Sequence, residues 1–447
     1  MTRHVVVLGG GLAGLAAAYT AAREGMRVTL VESTGALGGL AGDFERDGHF
    51  YPLGYHHILH RDRTLLHFLD LIGALPSVRW RRVRMAFHLH GRFHELGTPR
   101  GFLAFPMRPL DKLRFIRLML RTFRRSDWSE WEGRSAAELI DEWAGPGVRE
   151  ALFERLTRLK FERACDDVSA AWLGARLHHR EGSAPLGYIP GANWTTVLCE
   201  GVGRLVREAG VEVHLNAPIA ALHGDGGRLA ACELRDGTRL DGDAFVSAIP
   251  TEVYCRMAEQ EPTPDLCSIR YSALISVVCA TRQPVKPEFY WTNLASLDTT
   301  AGGIFLLTAL NPTIGAPGET CVNFVTHLSG RDRPLFRASD DELLAAYLAD
   351  FERVFGFPLE PSWTNIARVP MYSPVFGPGF RNAPVRSSRW NNVYFAGNYR
   401  TFPSVVSTGT ALGSGLEAGA ALLRDHGGST ALPAEAAAFR LREMPRG

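Results

Sequence analysis

What this chain lacks narrows it before any motif is read. Lysine is nearly absent: among 49 basic residues only Lys112, Lys160 and Lys286 are lysines. Basic and acidic residues almost cancel, leaving a formal charge of +2, so overall charge gives no reason to expect nucleic acid as a partner. The apolar runs are too short or too interrupted to span a bilayer. The first residues, Met-Thr-Arg-His, lead straight into a short apolar run and a glycine turn, which is not the make-up of a secretory leader. A cytoplasmic protein is expected. Seven cysteines, an odd number without C-x-x-C spacing, point to a reducing compartment and away from a zinc ribbon or disulfide framework. Most are expected as small core residues. No repeat at solenoid spacing occurs. A chain of 447 residues with 46% hydrophobic and 21% charged content is ordinary globular material, long enough for two domains.

Glycine, by contrast, is placed with purpose. His4-Val5-Val6-Val7-Leu8 has strand character, Gly9-Gly10-Gly11-Leu12-Ala13-Gly14 follows at once, and an alanine-rich run to Ala22 reads as a helix. Strand, tight turn and helix N-terminus make a seat for a pyrophosphate. Gly9 serves the turn, Gly11 lets backbone N–H groups approach the phosphates, and Gly14 lets the helix pack close to the sheet. A second strand, Arg27–Val31, ends at Glu32, roughly 20 residues after the glycines, where a carboxylate can hold a ribose. A further cluster, Gly35-Ala36-Leu37-Gly38-Gly39-Leu40-Ala41-Gly42, suits a long, extended dinucleotide.

Further along, Gly48–His57 is rich in glycine and aromatics, and Arg84–Leu96 alternates as a hairpin turning at Gly91-Arg92. His88 and His90 share a strand face with His94 across the turn. No carboxylate or thiolate cluster accompanies them, so no metal site is expected. Residues 110–125 form a basic amphipathic helix. Arg114, Arg117, Arg121, Arg124 and Arg125 share one arc, and Leu113, Ile116, Met119, Leu120 and Phe123 much of the other. Such a helix either packs its apolar side on the protein and shows arginines to water, or lies in a membrane interface. Residues 134–180 read as mainly helical. Strands are expected at Val211–Leu215, Leu229–Leu234, Ala244–Pro250, Ile269–Ala280, Gly303–Leu310, Cys321–Leu328 and Asn392–Asn398, the last running into glycine. Helices are expected at Thr195–Ala209, Asp340–Phe355 and Ser407–Leu423. The tail beyond residue 425 shows little periodicity.

The Gly9/Gly11/Gly14–Glu32–Gly38-Gly39 block, together with Tyr394-Phe395-Ala396-Gly397-Asn398, Ser407, Gly415 and Ala418, resembles the flavin amine oxidase superfamily. Gly54-Tyr55-His56-His57, Leu159-Lys160-Phe161 and Leu186-Gly187-Tyr188 extend the resemblance toward its bacterial protoporphyrinogen-oxidase and phytoene-desaturase-like group. The resemblance implies an α/β fold: a Rossmann-like, three-layer ββα domain for non-covalent FAD from residues 1–80, 195–265 and 385–425. It pairs with an α+β substrate domain with a mixed sheet from 81–194 and 266–384. A helical part at 108–180 would face a membrane, peripherally on its inner face, with contact through 108–125. Residues 426–447 would be a tail.

Carried over residue by residue, Gly9, Gly11 and Gly14 would hold the pyrophosphate and Glu32 the ribose. Gly38, Gly39 and Ala41 would run along the pyrophosphate and ribityl chain. Gly54, Tyr55 and His56 would approach the isoalloxazine, and Pro218 and Ile219 the adenine side. Ala248, Gly397, Asn398, Val406 and Ser407 complete the set. Asn398 stands where the family usually has an acid, and Leu40 where it often has arginine. No cysteine follows Cys321, which excludes a C-terminal cysteinyl–flavin link.

The chemistry so implied is transfer of a hydride from a substrate C–H to flavin N5, dehydrogenating or desaturating an apolar or amphipathic small molecule. No second G-x-G-x-x-G follows a strand, so a dedicated nicotinamide domain is not expected and oxygen or a quinone would take the electrons. Candidate catalytic residues are His56 and His57 beside the flavin loop, Lys286 near a second-domain strand, and Arg368 and Tyr372 ahead of the C-terminal flavin block. Tyr188 and Trp194 are further candidates for the substrate side. Two alternatives stay open: redox-neutral isomerase or mutase chemistry like that of UDP-galactopyranose mutase, and a flavin-binding protein without catalysis.

Overall fold

The computed structural model describes residues 3–178, 184–259 and 261–439. Five short β-branched segments assemble one parallel sheet: β1 (His4–Leu8), β2 (Arg27–Val31), β3 (Glu212–His214), β4 (Ala244–Ser247) and β5 (Val393–Phe395), in the order β5-β4-β1-β2-β3. The central strands read as continuous apolar runs because both faces are covered: Val5, Val6, Val7 and Leu8 have no exposed surface. One face is covered by α1 (Leu12–Arg23) and α2 (Thr408–His426). Gly415 lies against Ala13 and Ala16, and Gly419 against Thr20, so the two helices run parallel at close range. Since α2 starts seven residues before its contact with Ala13, its N-terminus projects about 9 Å past that of α1.

The opposite face carries the antiparallel sheet formed by Ile219–Asp225, Arg228–Leu234 and Arg239–Asp241, packed through Leu229, Cys232 and Leu234 onto Val6, Leu8 and Phe245. This arrangement is the expected three-layer ββα unit. A second, mixed sheet of seven strands runs in the order Trp363–Pro374, Tyr271–Thr281, Thr320–Leu328, Gly303–Leu306, Trp291–Leu294, Met85–Leu89, Arg92–His94. Its long central strand Tyr271–Thr281 is buried along its whole length. The helix Asp340–Phe355 closes one face, started by a capping box between Ser339 and Glu342.

Several expectations are corrected. Cys255 and Cys267 form a disulfide, whereas the sequence points to a reducing compartment without a disulfide framework; the other five are free and buried, as expected for most of the cysteines. The strand expected at Gly303–Leu310 stops at Leu306 and continues as one helical turn, Leu307–Leu310. The twelve-residue strand Trp363–Pro374 was not anticipated, since its polar and apolar residues do not alternate regularly. The tail is helical at Ala431–Ala438, with Leu432 and Ala436 buried; residues 440–447 lie outside the described residues.

The helix Pro109–Arg124 departs most from the packing arrangement read off its wheel. Its buried residues are Asp111, Leu118 and Thr122. Arg114 pairs with Asp111 at 3.1 Å, Arg117 donates to the Trp143 carbonyl at 2.9 Å, and the Arg121 guanidinium lies 5.5 Å from the Trp143 ring centroid. Arg117 and Arg121 anchor to Trp143 yet stay exposed, as do Leu110, Leu113, Ile116, Leu120 and Phe123, joined by Leu103 at 69%. Among the described residues no helix is long and apolar enough to cross a membrane.

Candidate active site

The turn after β1 is built for close approach. Gly9 has φ +104°, its N–H donates to the Val31 carbonyl at 2.8 Å, and a Cβ there would sit 3.0 Å from Ile249. At Gly14 a Cβ would lie 1.9 Å from the Gly9 carbonyl oxygen. Gly11 differs from both. It caps α1 with no side-chain hydrogen bond, and a Cβ added there would meet only Gly39 Cα, 3.9 Å away. The first N–H groups of α1 therefore face an open cradle, as a phosphate group requires.

The second glycine cluster forms the other wall. Gly38 N–H donates to the Gly10 carbonyl at 2.9 Å, and both Gly38 (φ +118°) and Gly39 (φ +58°) take left-handed backbone. Ala41 is buried behind them. At the end of β2, Glu32 is pinned by four donors: Gly10 N–H at 2.8 Å, Thr34 N–H at 2.9 Å, and the Ser33 and Thr34 hydroxyls at 3.1 and 3.0 Å. Three of these donors fall on Oε1, while Oε2 accepts only from Gly10 N–H and keeps a lone pair for a ribose hydroxyl. Ala217 N–H donates to the Glu32 carbonyl at 2.8 Å, which brings Pro218 and Ile219 to the same end of the sheet. Ala248 N–H, donating to the Leu8 carbonyl at 2.8 Å, lies beneath Gly9.

The far end is reached through β5 and α2. Gly397 N–H donates to the Ser414 hydroxyl at 2.9 Å, and the Asn398 amide donates to the Tyr372 carbonyl at 3.2 Å. Asn398 therefore ties the end of β5 to the strand of the mixed sheet that carries Tyr372. Val406 packs on the helical core, and Ser407 caps α2 reciprocally with Thr410. The Asp62 carboxylate lies against Gly409, so an acid already sits at the N-terminus of α2.

Between these ends lies an aromatic wall. Tyr55 stacks on Phe305 with centroids 3.8 Å apart and 10° between planes, and Trp291 tilts against both. Gly54 has nothing within 4 Å of its notional Cβ. His57 Nδ1 lies 3.3 Å from the Tyr290 hydroxyl, and the Trp194 indole donates to the His56 carbonyl at 3.3 Å. His56, Tyr188, Trp194 and Tyr290 line one small pocket. Burial pushes both imidazoles down to about 4, with neighbouring positive charge adding at His57. Both are neutral at pH 7 and can accept a hydrogen bond or a proton, but they are not standing cations.

The other candidate residues divide. Tyr372 belongs to this wall, its ring 5.4 Å from that of His327. Arg368 turns elsewhere, donating at 2.7 Å to Asp340 and to the Ala338 carbonyl. Lys286 lies on the surface, 69% exposed and ion-paired with Glu288, and the structure does not bring it to Tyr55. Sequence reasoning passed over Lys160, Arg176 and His327, which converge beyond Tyr55. The signal that was available is the rarity of lysine itself, with Lys160 inside a motif already singled out.

Comparison with known proteins follows this geometry. The model of the family described as flavin containing amine oxidoreductase matches residues 12–423. A stretch of 158 residues is 24% identical to an L-amino-acid oxidase of Bungarus fasciatus, covering 34% of this chain and 31% of that protein. Over 278 residues the chain is 24% identical to the 15-cis-phytoene desaturase of Glycine max, covering 56% and 48%. It thus spans less than half the length of either relative. Among solved structures, a protein of Exiguobacterium sp. 255-15, provisionally assigned as a protoporphyrinogen oxidase, superposes with a TM-score of 0.77 at 19% identity, covering 95% of this chain and 99% of that one.

Proposed function

The chain belongs to the flavin containing amine oxidoreductase family, with FAD as its cofactor, and from that premise we propose that it dehydrogenates or desaturates an apolar or amphipathic small molecule. The observation that carries the reading is the open cradle at Gly11, aligned with a pinned Glu32 at one end and the aromatic wall of Tyr55 at the other. When bound, FAD supplies the hydride acceptor. The first N–H groups of α1 behind Gly11 would hold the pyrophosphate, with Gly9, Gly14, Gly38 and Gly39 shaping the cradle around it; Glu32 would hold the ribose, and Pro218 and Ile219 would flank the adenine. Asn398 would stand at the opposite end, its amide able to donate a hydrogen bond. Tyr55, Trp291 and Phe305 exclude water and orient an apolar substrate. His56 and His57, neutral at pH 7, are placed to accept a proton or a hydrogen bond. Oxygen or a quinone takes the electrons.

The test is anaerobic mixing of the yellow holoprotein with L-leucine, phytoene or protoporphyrinogen, following the visible flavin band and the product mass. Bleaching with loss of two hydrogens from one of them is expected. A product of unchanged mass, formed only after dithionite reduction, would overturn oxidation in favour of rearrangement.

The protein also meets a membrane surface peripherally in this reading. Leu103, Leu110, Leu113, Ile116, Leu120 and Phe123 project outward, and Asp111, buried, is the one acid against seven basic residues over 108–125. Apolar side chains rimmed by arginine suit an anionic bilayer interface. Flotation with phosphatidylglycerol liposomes is expected to carry the wild type and to lose the quadruple variant Leu113→Gln, Ile116→Gln, Leu120→Gln, Phe123→Gln. Equal flotation of both would remove the membrane contact.

A further inference from the structure

Beyond the aromatic wall lies a cluster that flavin binding does not require. Lys160, at the end of the helix Glu154–Phe161, and Arg176, in the helix Ala170–His178, are both deeply enclosed. Their surroundings are aromatic: the Lys160 ammonium is 5.6 Å from the Phe161 centroid, Arg176 is 5.6 Å from that of Trp172, and these two rings pack edge to face at 5.1 Å. Among the described residues neither cation has a hydrogen bond or an ion pair. Arg400 contrasts with them: its guanidinium, 5% exposed, pairs with Glu417 at 2.9 Å and donates to the Ala383 carbonyl.

His327 completes the group, its Nδ1 buried without a partner and its ring against Tyr372. Lys160, Arg176, His327, Tyr55 and Tyr372 each keep some accessible surface although protein surrounds them. That surface therefore faces an interior hollow. Arg176 lies within electrostatic reach of both tyrosines and of Lys160; burial, and after it the Arg176 charge, brings the Lys160 ammonium down to about 7.

Two like charges held together in a low dielectric are costly, and a side chain of opposite sign would be the usual remedy. Here none is supplied, and the hollow beside them is left open. An anion entering it would relieve both the desolvation and the mutual repulsion. The walls, meanwhile, offer only rings. We propose that Lys160 and Arg176 bind an anionic head group, carboxylate or phosphate, on the substrate, so that the enzyme acts on an amphipathic acid whose apolar part lies against Tyr55 and Tyr372. His327, neutral, can donate or accept one further hydrogen bond to that head group.

This inference rests on the oxidoreductase reading for the word substrate, but its test does not depend on turnover. Thermal shift and perturbation of the visible flavin spectrum are measured on the oxidised holoprotein with decanoate, decyl phosphate and decanol. Decanoate or decyl phosphate is expected to raise the melting temperature and decanol not to, and the tighter of the two anions names the head group. Lys160→Met and Arg176→Met are each expected to weaken that anion at least tenfold. Without added ligand both variants should melt no lower than wild type, because an unpaired buried charge has been replaced by an apolar chain. Equal binding of decanol and the anions would overturn the proposal. So would variants that bind the anions as wild type does, or that shift only the flavin reduction potential. Charge-dependent binding in a protein whose flavin no substrate reduces would leave the anion site standing and defeat oxidation. Neutral substrates oxidised equally well by both variants would do the reverse.

Discussion

Gly11→Val yields a folded protein with no yellow colour. The backbone at Gly11, φ −68° and ψ 170°, is one that any residue adopts, and the nearest atom to a new Cβ is Gly39 Cα at 3.9 Å. The polypeptide can therefore accommodate valine. What the side chain fills is the cradle in front of the first N–H groups of α1, where a pyrophosphate must come within hydrogen-bonding distance. Hydrogen bonds to a charged group contribute about 1.5–3 kcal/mol each. Losing two of them weakens FAD at least about 100-fold, since each factor of ten is 1.4 kcal/mol. Flavin content of the purified protein and titration of the apoprotein with FAD measure this, with circular dichroism to confirm the fold. A variant that keeps stoichiometric flavin would show that the dinucleotide does not lie there. Gly14→Ala is a different experiment, because its Cβ would press on the Gly9 carbonyl oxygen and damage the turn itself.

Gly415→Val should cost more in stability than any surface change in the molecule. A Cβ at Gly415 would stand 2.1 Å from the Ala13 carbonyl oxygen and 2.9 Å from Ala16 Cβ. The first of these is backbone inside α1, so no side-chain rotation relieves it and α1 and α2 must separate. Overpacking a close-packed core usually costs about 1–3 kcal/mol, and here the whole interface moves, so about 3 kcal/mol or more is expected. Gly413→Ala on the same helix is the control. Its Cβ meets only the Thr64 hydroxyl at 4.0 Å, and alanine gains up to about 1 kcal/mol of helix propensity. Urea denaturation of the two variants should move the midpoint in opposite directions. An unchanged midpoint for Gly415→Val would mean that the helices do not cross at this point.

The parts of this molecule that could be read from sequence are those whose causes are local. The turn at Gly9–Gly14 and its partner at Gly38-Gly39 follow from backbone geometry that only nearby residues set. The strands around Val5–Val7 and Phe245-Val246 follow from runs that can only be buried on both faces. The wheel of residues 110–125 gave two arcs correctly but could not say which arc the protein would take. The protein took the strip between them, Asp111, Leu118 and Thr122 with Phe115 and Met119 beside it, and Trp143 anchors Arg117 and Arg121 at its edge. Lys160, Arg176 and His327 come from three elements, and nothing local to any of them announces the others. Lys286, near a strand in sequence, is turned outward by a surface pairing with Glu288. The disulfide joins residues 12 apart across a bend, where spacing alone does not distinguish two core thiols from a bond.

The order β5-β4-β1-β2-β3 has a consequence for how the molecule comes into being. Its first strand is flanked by one ending at Ser247, and that in turn by one ending at Phe395. As the chain emerges during synthesis, β1 and β2 can pair early, but one edge of the sheet waits for residues 244–247 and then for 393–395. The face of α1 stays bare until Gly415 arrives to cover it. Contacts this distant in sequence are slow to form, and an unpaired edge is open to other chains in the interval. Completion of the sheet is thus gated by β5 and by α2, and a cofactor that bridges α1 to α2 would be captured at that closing step of assembly.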